Sequence, residues 1–229
     1  MKVIISWSGG KDSCLALYRT KQAGHEPVCL LNFVSEKYGR CCFHGVPAGL
    51  IKAQSDALGI PLVQKSVPDT MEGYETAFKQ SVSELKDRFG AEGMVFGDIY
   101  LDEHKDWVER VCKDIGIKAI EPLWNQETEK LVAEFIDAGF ETMIVSANAS
   151  LLPKEIIGRN INGETLNIIR SKNVCVCGEN GEFHTFVFDG PNFSKCIEIT
   201  ESETVLREGF WKHWFLDIKD FRLEAKDAQ

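Results

Sequence analysis

The sequence lacks a surplus of basic charge. It carries 26 Lys+Arg against 35 Asp+Glu over 229 residues, a formal net charge of −9. A protein that grips many nucleic-acid phosphates needs a basic surplus or a dense basic stripe. Neither is present, which argues against broad nucleic-acid binding and leaves room for a local phosphate site. Long apolar runs are missing as well. The most apolar stretch, residues 28–34, falls far short of the roughly 20 residues that span a bilayer. Met1 leads straight into a strand-like VIIS, without the layout of a signal peptide. The eight cysteines are too few for a disulfide scaffold. Cys41 and Cys42 are adjacent, Cys175 and Cys177 form C-x-C, and no pair of C-x-x-C knuckles exists. A structural zinc is therefore not expected, and reduced thiols in a cytoplasm are. Internal repeats and low-complexity linkers are absent too.

What is present is ordinary for a globular chain: 44% apolar and 27% charged residues. At roughly 150 residues per domain, the length suggests one large domain, or a medium one with a smaller companion. In the first half, short β-branched runs alternate with helical spacing. Residues 3–6, 27–34, 62–66, 93–97 and 118–121 read as strands, and 12–23, 47–58, 71–89 and 103–115 as helices. Glycines at 24, 59 and 116 follow three of these helices as stops. This alternation predicts a parallel sheet with helices on both faces. Beyond it, 127–138 reads as a helix and 142–145 as a strand. After residue 152 the pattern turns β-rich. Residues 173–177 and 183–188 flank an Asn180-Gly181 hairpin signal, and 196–200 and 215–221 are further strands. The expected fold class is α/β, a doubly wound parallel sheet with a second, smaller α+β domain. The boundary is placed near Trp124, giving 1–124 and 125–229. The tail at 225–229 is expected to fray.

The clearest chemistry is Ser8-Gly9-Gly10-Lys11-Asp12-Ser13, which follows the first strand and opens the first helix. A helix N-terminus offers unpaired N–H groups and a positive dipole end. Two glycines are expected to let a phosphate approach the backbone. Ser8 and Ser13 add hydroxyls and Lys11 a cation, so the parts of a phosphate site lie together. Asp12 beside phosphates calls for a bridging divalent cation, Mg2+. The pattern is neither the Walker A loop nor the G-x-G-x-x-G fingerprint.

SGGKDS resembles the PP-loop of the ATP pyrophosphatases, a HUP-like superfamily that binds ATP and releases AMP and pyrophosphate. Further segments narrow the likeness. They are Gly97-Asp98-Ile99, His104, Trp107-Val108-Glu109, Cys112 and Glu121-Pro122-Leu123-Trp124, then Cys177-Gly178-Glu179-Asn180-Gly181-Glu182-Phe183-His184-Thr185 and Asp189-Gly190-Pro191. His44-Gly45 and Gly59-Ile60-Pro61-Leu62 belong with them. Together these resemble the diphthine–ammonia ligase family, from residue 4 to about residue 197. The resemblance implies an AMP-forming carbon–nitrogen ligase with ATP and Mg2+ as cofactors. Its partners would be ammonium and, as protein substrate, translation elongation factor 2. ATP adenylates the carboxylate of diphthine, a modified histidine carrying a trimethylammonium group, and ammonia displaces AMP to give diphthamide. A homo-oligomer stays open.

Ser8, Gly9, Gly10, Lys11, Asp12, Ser13 and Gly97 are assigned to the nucleotide, with Asp12 also to the metal. Lys11, Asp12, Asp98, Glu109, Glu179, Glu182 and His184 form the candidate catalytic set. Asp98 lies just past a buried strand, where ligands of open α/β sheets gather; a turn cap is its bland alternative. Glu109 sits mid-helix, five residues beyond His104, so the two do not share a face clearly. Strand alternation would put Glu182 and His184 on one face, able to hold or deprotonate ammonium; an exposed acidic hairpin is the alternative. No segment reads as a glutaminase, so free ammonium is the expected nitrogen donor. Three other functions stay open: a PP-loop ligase for a different small carboxylic acid, a tRNA-modifying PP-loop enzyme, and an ATP-binding sensor without turnover. The acid excess weighs against the RNA reading. It is also uneven: residues 1–124 hold 15 basic and 17 acidic residues, net −2, and residues 125–229 hold 11 and 18, net −7.

Overall fold

A computed structural model describes residues 1–42, 44–68, 70–208 and 212–226. The first half alternates as its pattern predicts. It runs β1 (Lys2–Ser6), α1 (Lys11–Gln22), β2 (Glu26–Ser35), α2 (Ala48–Leu58), β3 (Leu62–Val67), α3 (Met71–Phe89), β4 (Gly93–Val95), α4 (Asp102–Ile115) and β5 (Lys118–Ile120). The strands form one parallel five-stranded sheet in the order β3-β2-β1-β4-β5. This is a doubly wound order, and it reverses between β1 and β4. Val3, Ile4 and Ile5 of β1 are all fully buried, as a central strand covered on both faces requires. Their alternation divides the core. Val3 and Ile5 join residues of α1 and α2, while Ile4 joins Phe78 and Val82 of α3 and Val111 of α4. β4 stops at Val95, two residues short of the predicted 93–97, so Phe96 and Gly97 belong to the loop that follows.

The second half holds α5 (Thr128–Asp137), β6 (Glu141–Asn148), a short 3-10 helix (Lys154–Ile156), α6 (Gly163–Ser171), β7 (Phe183–Asp189), β8 (Lys195–Glu208) and β9 (Lys212–Ala225). Its four strands form an antiparallel sheet in the order β7-β6-β9-β8. The architecture is thus α/β with a smaller α+β part, as expected. Three local expectations are corrected. α6 lies where a β-rich segment was expected; Asn162 caps it by accepting the Thr165 N–H at 3.0 Å, and Leu166 and Ile169 bury its face. Residues 173–177 form no strand, so Asn180-Gly181 is a loop and not a hairpin turn. β7 pairs with β6 instead. β8 and β9 are each 14 residues long, far beyond the predicted 196–200 and 215–221; burial is confined to Ile197 and to Leu216–Ile218, and the mostly exposed, charge-rich remainder leaves little apolar alternation to read. Ala225 still belongs to β9, and residues 227–229 of the expected frayed tail lie outside the described residues.

The two sheets share one apolar core. Val3, Ile5, Leu17 and Leu50 of the first half cluster with Phe135, Ile144, Phe186 and Ile218 of the second. Arg19 of α1 also reaches α5, donating through Nε to Glu134 Oε1 at 2.9 Å. Phe186 is 1% exposed within this common core. Phe186→Ala is expected to cost about 3–5 kcal/mol and to lower the urea midpoints of both halves together, followed by circular dichroism and by tryptophan fluorescence.

Candidate active site

The predicted phosphate loop is the turn from β1 into α1. It sits at the reversal of strand order, outside the carboxyl ends of the strands, where open α/β sheets bind ligands. Ser8 and Ser13 face one another, with Ser8 Oγ donating to Ser13 Oγ at 3.2 Å. Ser13 Oγ also donates to the Gly10 carbonyl at 3.0 Å. Gly10, the N-cap of α1, supplies no side-chain cap.

The loop is gripped from the second half of the chain. Val187 N donates to the Gly9 carbonyl at 2.9 Å, and Lys11 N to Thr185 Oγ1 at 3.0 Å. Gln54, fully buried, donates to the Gly9 and Val187 carbonyls at 2.9 and 2.7 Å. Its own Oε1 accepts from Trp7 Nε1 at 3.0 Å.

These contacts add a second constraint on the two glycines. A Cβ on Gly9 would lie 2.4 Å from Gln54 Oε1, and one on Gly10 would lie 2.6 Å from His44 Cε1. On the side where a Cβ would stand both glycines meet protein side chains, so neither position takes a larger residue without displacing Gln54 or His44. Gly97 is constrained in the same way. Its Cβ would lie 2.9 Å from the Asp12 carbonyl carbon, so the loop after β4 leans directly on the first turn of α1.

Charge is concentrated beside this turn. Lys11 is only 4% exposed. Its ammonium donates to Asp12 Oδ2 at 2.8 Å and to the Cys177 carbonyl, and lies over the Phe183 ring. Burial works against its charge, but Asp12, Cys177 and Glu179 outweigh burial and hold its pKa above the ordinary value. Burial pushes the Asp12 carboxyl up, with Asp98 adding to the effect and Lys11 opposing it. Asp98 Oδ1 pairs with His104 Nδ1 at 3.0 Å, and this contact raises the His104 pKa. Glu179 accepts the Ile99 N–H at 2.8 Å, tying the 177–181 loop to the loop after β4. Burial, reinforced by Asp12 and Asp98, pushes Glu179 up to about 7.

Two of the predicted acids stand elsewhere. Glu109 is 59% exposed on α4, 3.9 Å from Lys105, and does not line the cleft. Glu182 is buried, but its carboxylate braces its own loop. It accepts Asn180 N at 2.9 Å, Asn180 Nδ2 at 3.0 Å and Cys175 N at 3.4 Å. Glu182 precedes β7 instead of lying in it, so strand alternation does not pair it with His184. His184 packs on His44, with ring centroids 4.7 Å apart. Burial and the neighbouring Lys11 push both imidazoles down, His44 to about 4. His44 Nδ1 lies 3.0 Å from the Thr185 carbonyl. A carbonyl only accepts, so this nitrogen carries the proton.

Ser8, Lys11, Asp12, Ser13, Gly97, Asp98, Glu179 and His184 all line one cleft of about 900 Å3 between the two halves. A family profile described as the diphthamide synthase N-terminal domain matches residues 1–119, and one for the C-terminal domain matches residues 127–222. The chain belongs to the diphthamide synthase family. Human diphthine–ammonia ligase is 28% identical over 250 residues, covering 99% of this chain and 94% of that protein. The zebrafish ligase is 26% identical over 249 residues, covering 99% and 98%. The ligase of Schizosaccharomyces pombe is 27% identical over 227 residues, 90% of this chain and 37% of its own length. Among solved structures, a chain described as a predicted subunit of tRNA methyltransferase from Methanocaldococcus jannaschii has a TM-score of 0.47 at 16% identity, covering 82% of this chain and 96% of that one.

Within this family member, sequence reasoning overlooked Gln54 and Thr185 and gave little weight to His44. Thr185 was legible as the end of the CGENGEFHT run; Gln54, an unremarkable polar residue in a helix, carried no signal.

Glu179 leads to a pH prediction. Its pKa in the folded chain lies above the ordinary 4.5, at about 7, so the folded state binds more protons than the unfolded one between those values. Stability therefore falls as pH rises through that window. Glu179→Gln keeps an acceptor for the Ile99 N–H and removes this slope. In urea unfolding the variant should gain on the parent chain from about pH 4.5 to about pH 7.

Proposed function

We propose that this chain amidates diphthine on translation elongation factor 2, using ATP and ammonia and releasing AMP and pyrophosphate. The observation that carries the reading is the joining of the two family segments around one lysine. Lys11 of SGGKDS hydrogen-bonds to the Cys177 carbonyl and, through its backbone N–H, to Thr185. The phosphate loop and the CGENGEFHT run thus build one site. Ser8, Gly9, Gly10, Lys11, Asp12, Ser13 and Gly97 hold the triphosphate at the N-terminus of α1, where dipole and N–H groups favour an anion. The chain divides near residue 124 into a nucleotide-binding part and an acceptor part.

Mg2+ fits the donors present. Among the described residues no three His, Cys, Asp or Glu side chains are placed to hold a metal by themselves. Mg2+ commonly takes only one or two carboxylates and completes its shell with waters and substrate phosphates. Asp12 and Asp98, close enough that Asp98 raises the Asp12 pKa, are the residues that would hold it. Bound there, the ion would neutralise phosphate charge.

The acceptor carboxylate is made reactive as an acyl-adenylate, and ammonia then forms the C–N bond as the C–O bond to AMP breaks. Ammonium must first lose a proton. Glu179, with its pKa near neutrality, is matched to receive it. The chain's residues otherwise act by positioning and electrostatics. A cytoplasmic setting suits the protein substrate, and no helix among the described residues is long and apolar enough to cross a membrane.

The deciding measurement incubates the protein with ATP, Mg2+, ammonium and diphthine-bearing elongation factor. AMP, pyrophosphate and an amidated factor are expected; ADP and orthophosphate would refute the reading. Glutamine should not replace ammonium, and activity with glutamine alone would overturn the free-ammonia assignment. Asp12→Ala should abolish AMP release while leaving the circular dichroism spectrum unchanged.

A further inference from the structure

Beside the nucleotide cleft lies a second cavity, of about 830 Å3. Its walls come from the loop after β2, the entry to α3 and the β8–β9 hairpin, so both halves of the chain build it. Cys41 and Tyr74 line this cavity and the nucleotide cleft alike. Cys41 Sγ lies 3.6 Å from the carbonyl of Ser8, at the start of the phosphate loop. Cys41, Cys42, Met71 and Tyr74 thus form a wall common to the second cavity and the proposed ATP site.

Two large apolar side chains stand open to solvent at this cavity. Tyr38 is 65% exposed and Met71 72% exposed, and both line it. Among the described residues the large hydrophobic side chains left exposed are Met1, Tyr38, Met71, Leu151 and Leu206. Two of them thus stand at one opening. Exposed apolar groups gathered at a hollow mark an interaction site more often than scattered ones do. Deeper in, Tyr74 and Phe215 present aromatic surface. Asp217 is paired with Arg40 and Lys219, and Glu208 with Lys212; beside these and Arg207 the cavity offers the aromatic faces of Tyr74 and Phe215. Such faces suit a quaternary ammonium group.

The proposed reaction sets a geometric demand. A whole protein does not enter a cleft of this size; only a side chain projecting from it does, and the protein must grip the enzyme beside the opening. We infer that the second cavity receives the segment of the acceptor protein that carries the modified histidine. Tyr38 and Met71 hold the segment, and its side chain passes Tyr74 and Cys41 to reach the nucleotide cleft. This assignment rests on the function proposed above and adds to it the surface on which the protein substrate docks.

Tyr38→Asp and Tyr38→Ala test it, because Tyr38 is exposed, neither substitution empties the core, and Tyr38, unlike Met71, does not line the nucleotide cleft. Initial rates of AMP release are measured against diphthine-bearing elongation factor, ATP and ammonium in turn. Each variant should raise KM for the factor about tenfold or more and leave KM for ATP and ammonium unchanged. Leu151→Asp, exposed away from the cavity, should change none of them. An unchanged KM for the factor in both variants would overturn the inference, as would equal rises for ATP and the factor. Sedimentation is run alongside. Variants that only convert a dimer to a monomer, with KM for the factor intact, would show a self-association surface and refute docking. If the parent protein gives no factor-dependent AMP at all, the proposed function has failed, and the docking assignment falls with it.

Discussion

The phosphate loop depends on a clamp that it does not itself contain. Gln54, from α2, has its amide fully used by Trp7, Gly9 and Val187. β7 adds the Val187 N–H to Gly9 and the Thr185 hydroxyl to Lys11 N. Each of these buried polar groups, left without its partner, would cost about 1–3 kcal/mol. The clamp therefore couples the shape of the loop to the docking of the antiparallel sheet. It also explains the two adjacent glycines: with Gln54 on one side and His44 on the other, a Cβ at either position has no room.

That coupling places the electrostatics of the site. Lys11 is buried only because Asp12, the Cys177 carbonyl and the Phe183 ring surround it. Asp98 raises the Asp12 pKa, and Asp12 and Asp98 raise that of Glu179, although the three come from α1, the loop after β4 and the 177–181 loop. Cations are then favoured among the carboxylates, and neutral imidazoles beside the lysine. The protein keeps opposite preferences a few side chains apart by drawing them from different elements. The uneven distribution of charge along the chain, net −2 before residue 125 and −7 after it, fits the same division. The half that holds the SGGKDS turn carries little net repulsion for an anion.

Legibility in the sequence followed the range of the interactions involved. The parallel sheet was readable because its strands are short apolar runs and its helices amphipathic, both local signals. Ser8 to Ser13 were readable because strand, turn and helix cap are contiguous. Glu182 and the Asn180-Gly181 turn misled, since a hairpin signal is defined by flanking strands, and one flank is a loop held together by the Glu182 carboxylate itself. Glu109 misled for a different reason. Its place in a family-like segment said nothing about which face of α4 it occupies, and that face is open to solvent. The 14-residue β8 and β9 were underestimated because much of their length is exposed and charged, with burial limited to Ile197 and Leu216–Ile218, so their alternation is weak.

The sequence by itself determined the class of chemistry and the doubly wound half of the fold. Both are written in neighbouring residues: a turn that opens a helix, and alternating runs whose burial follows from their period. The tertiary structure decided which residues meet. Gln54 and Thr185 grip a loop that begins at Ser8, Glu179 reaches Ile99, and Cys41 stands between two cavities. Such contacts join residues dozens to well over a hundred positions apart in the chain; folding of the first half brings Gln54 and Cys41 to the loop, and packing of the two halves on one core brings Thr185 to Lys11 and Glu179 to Ile99.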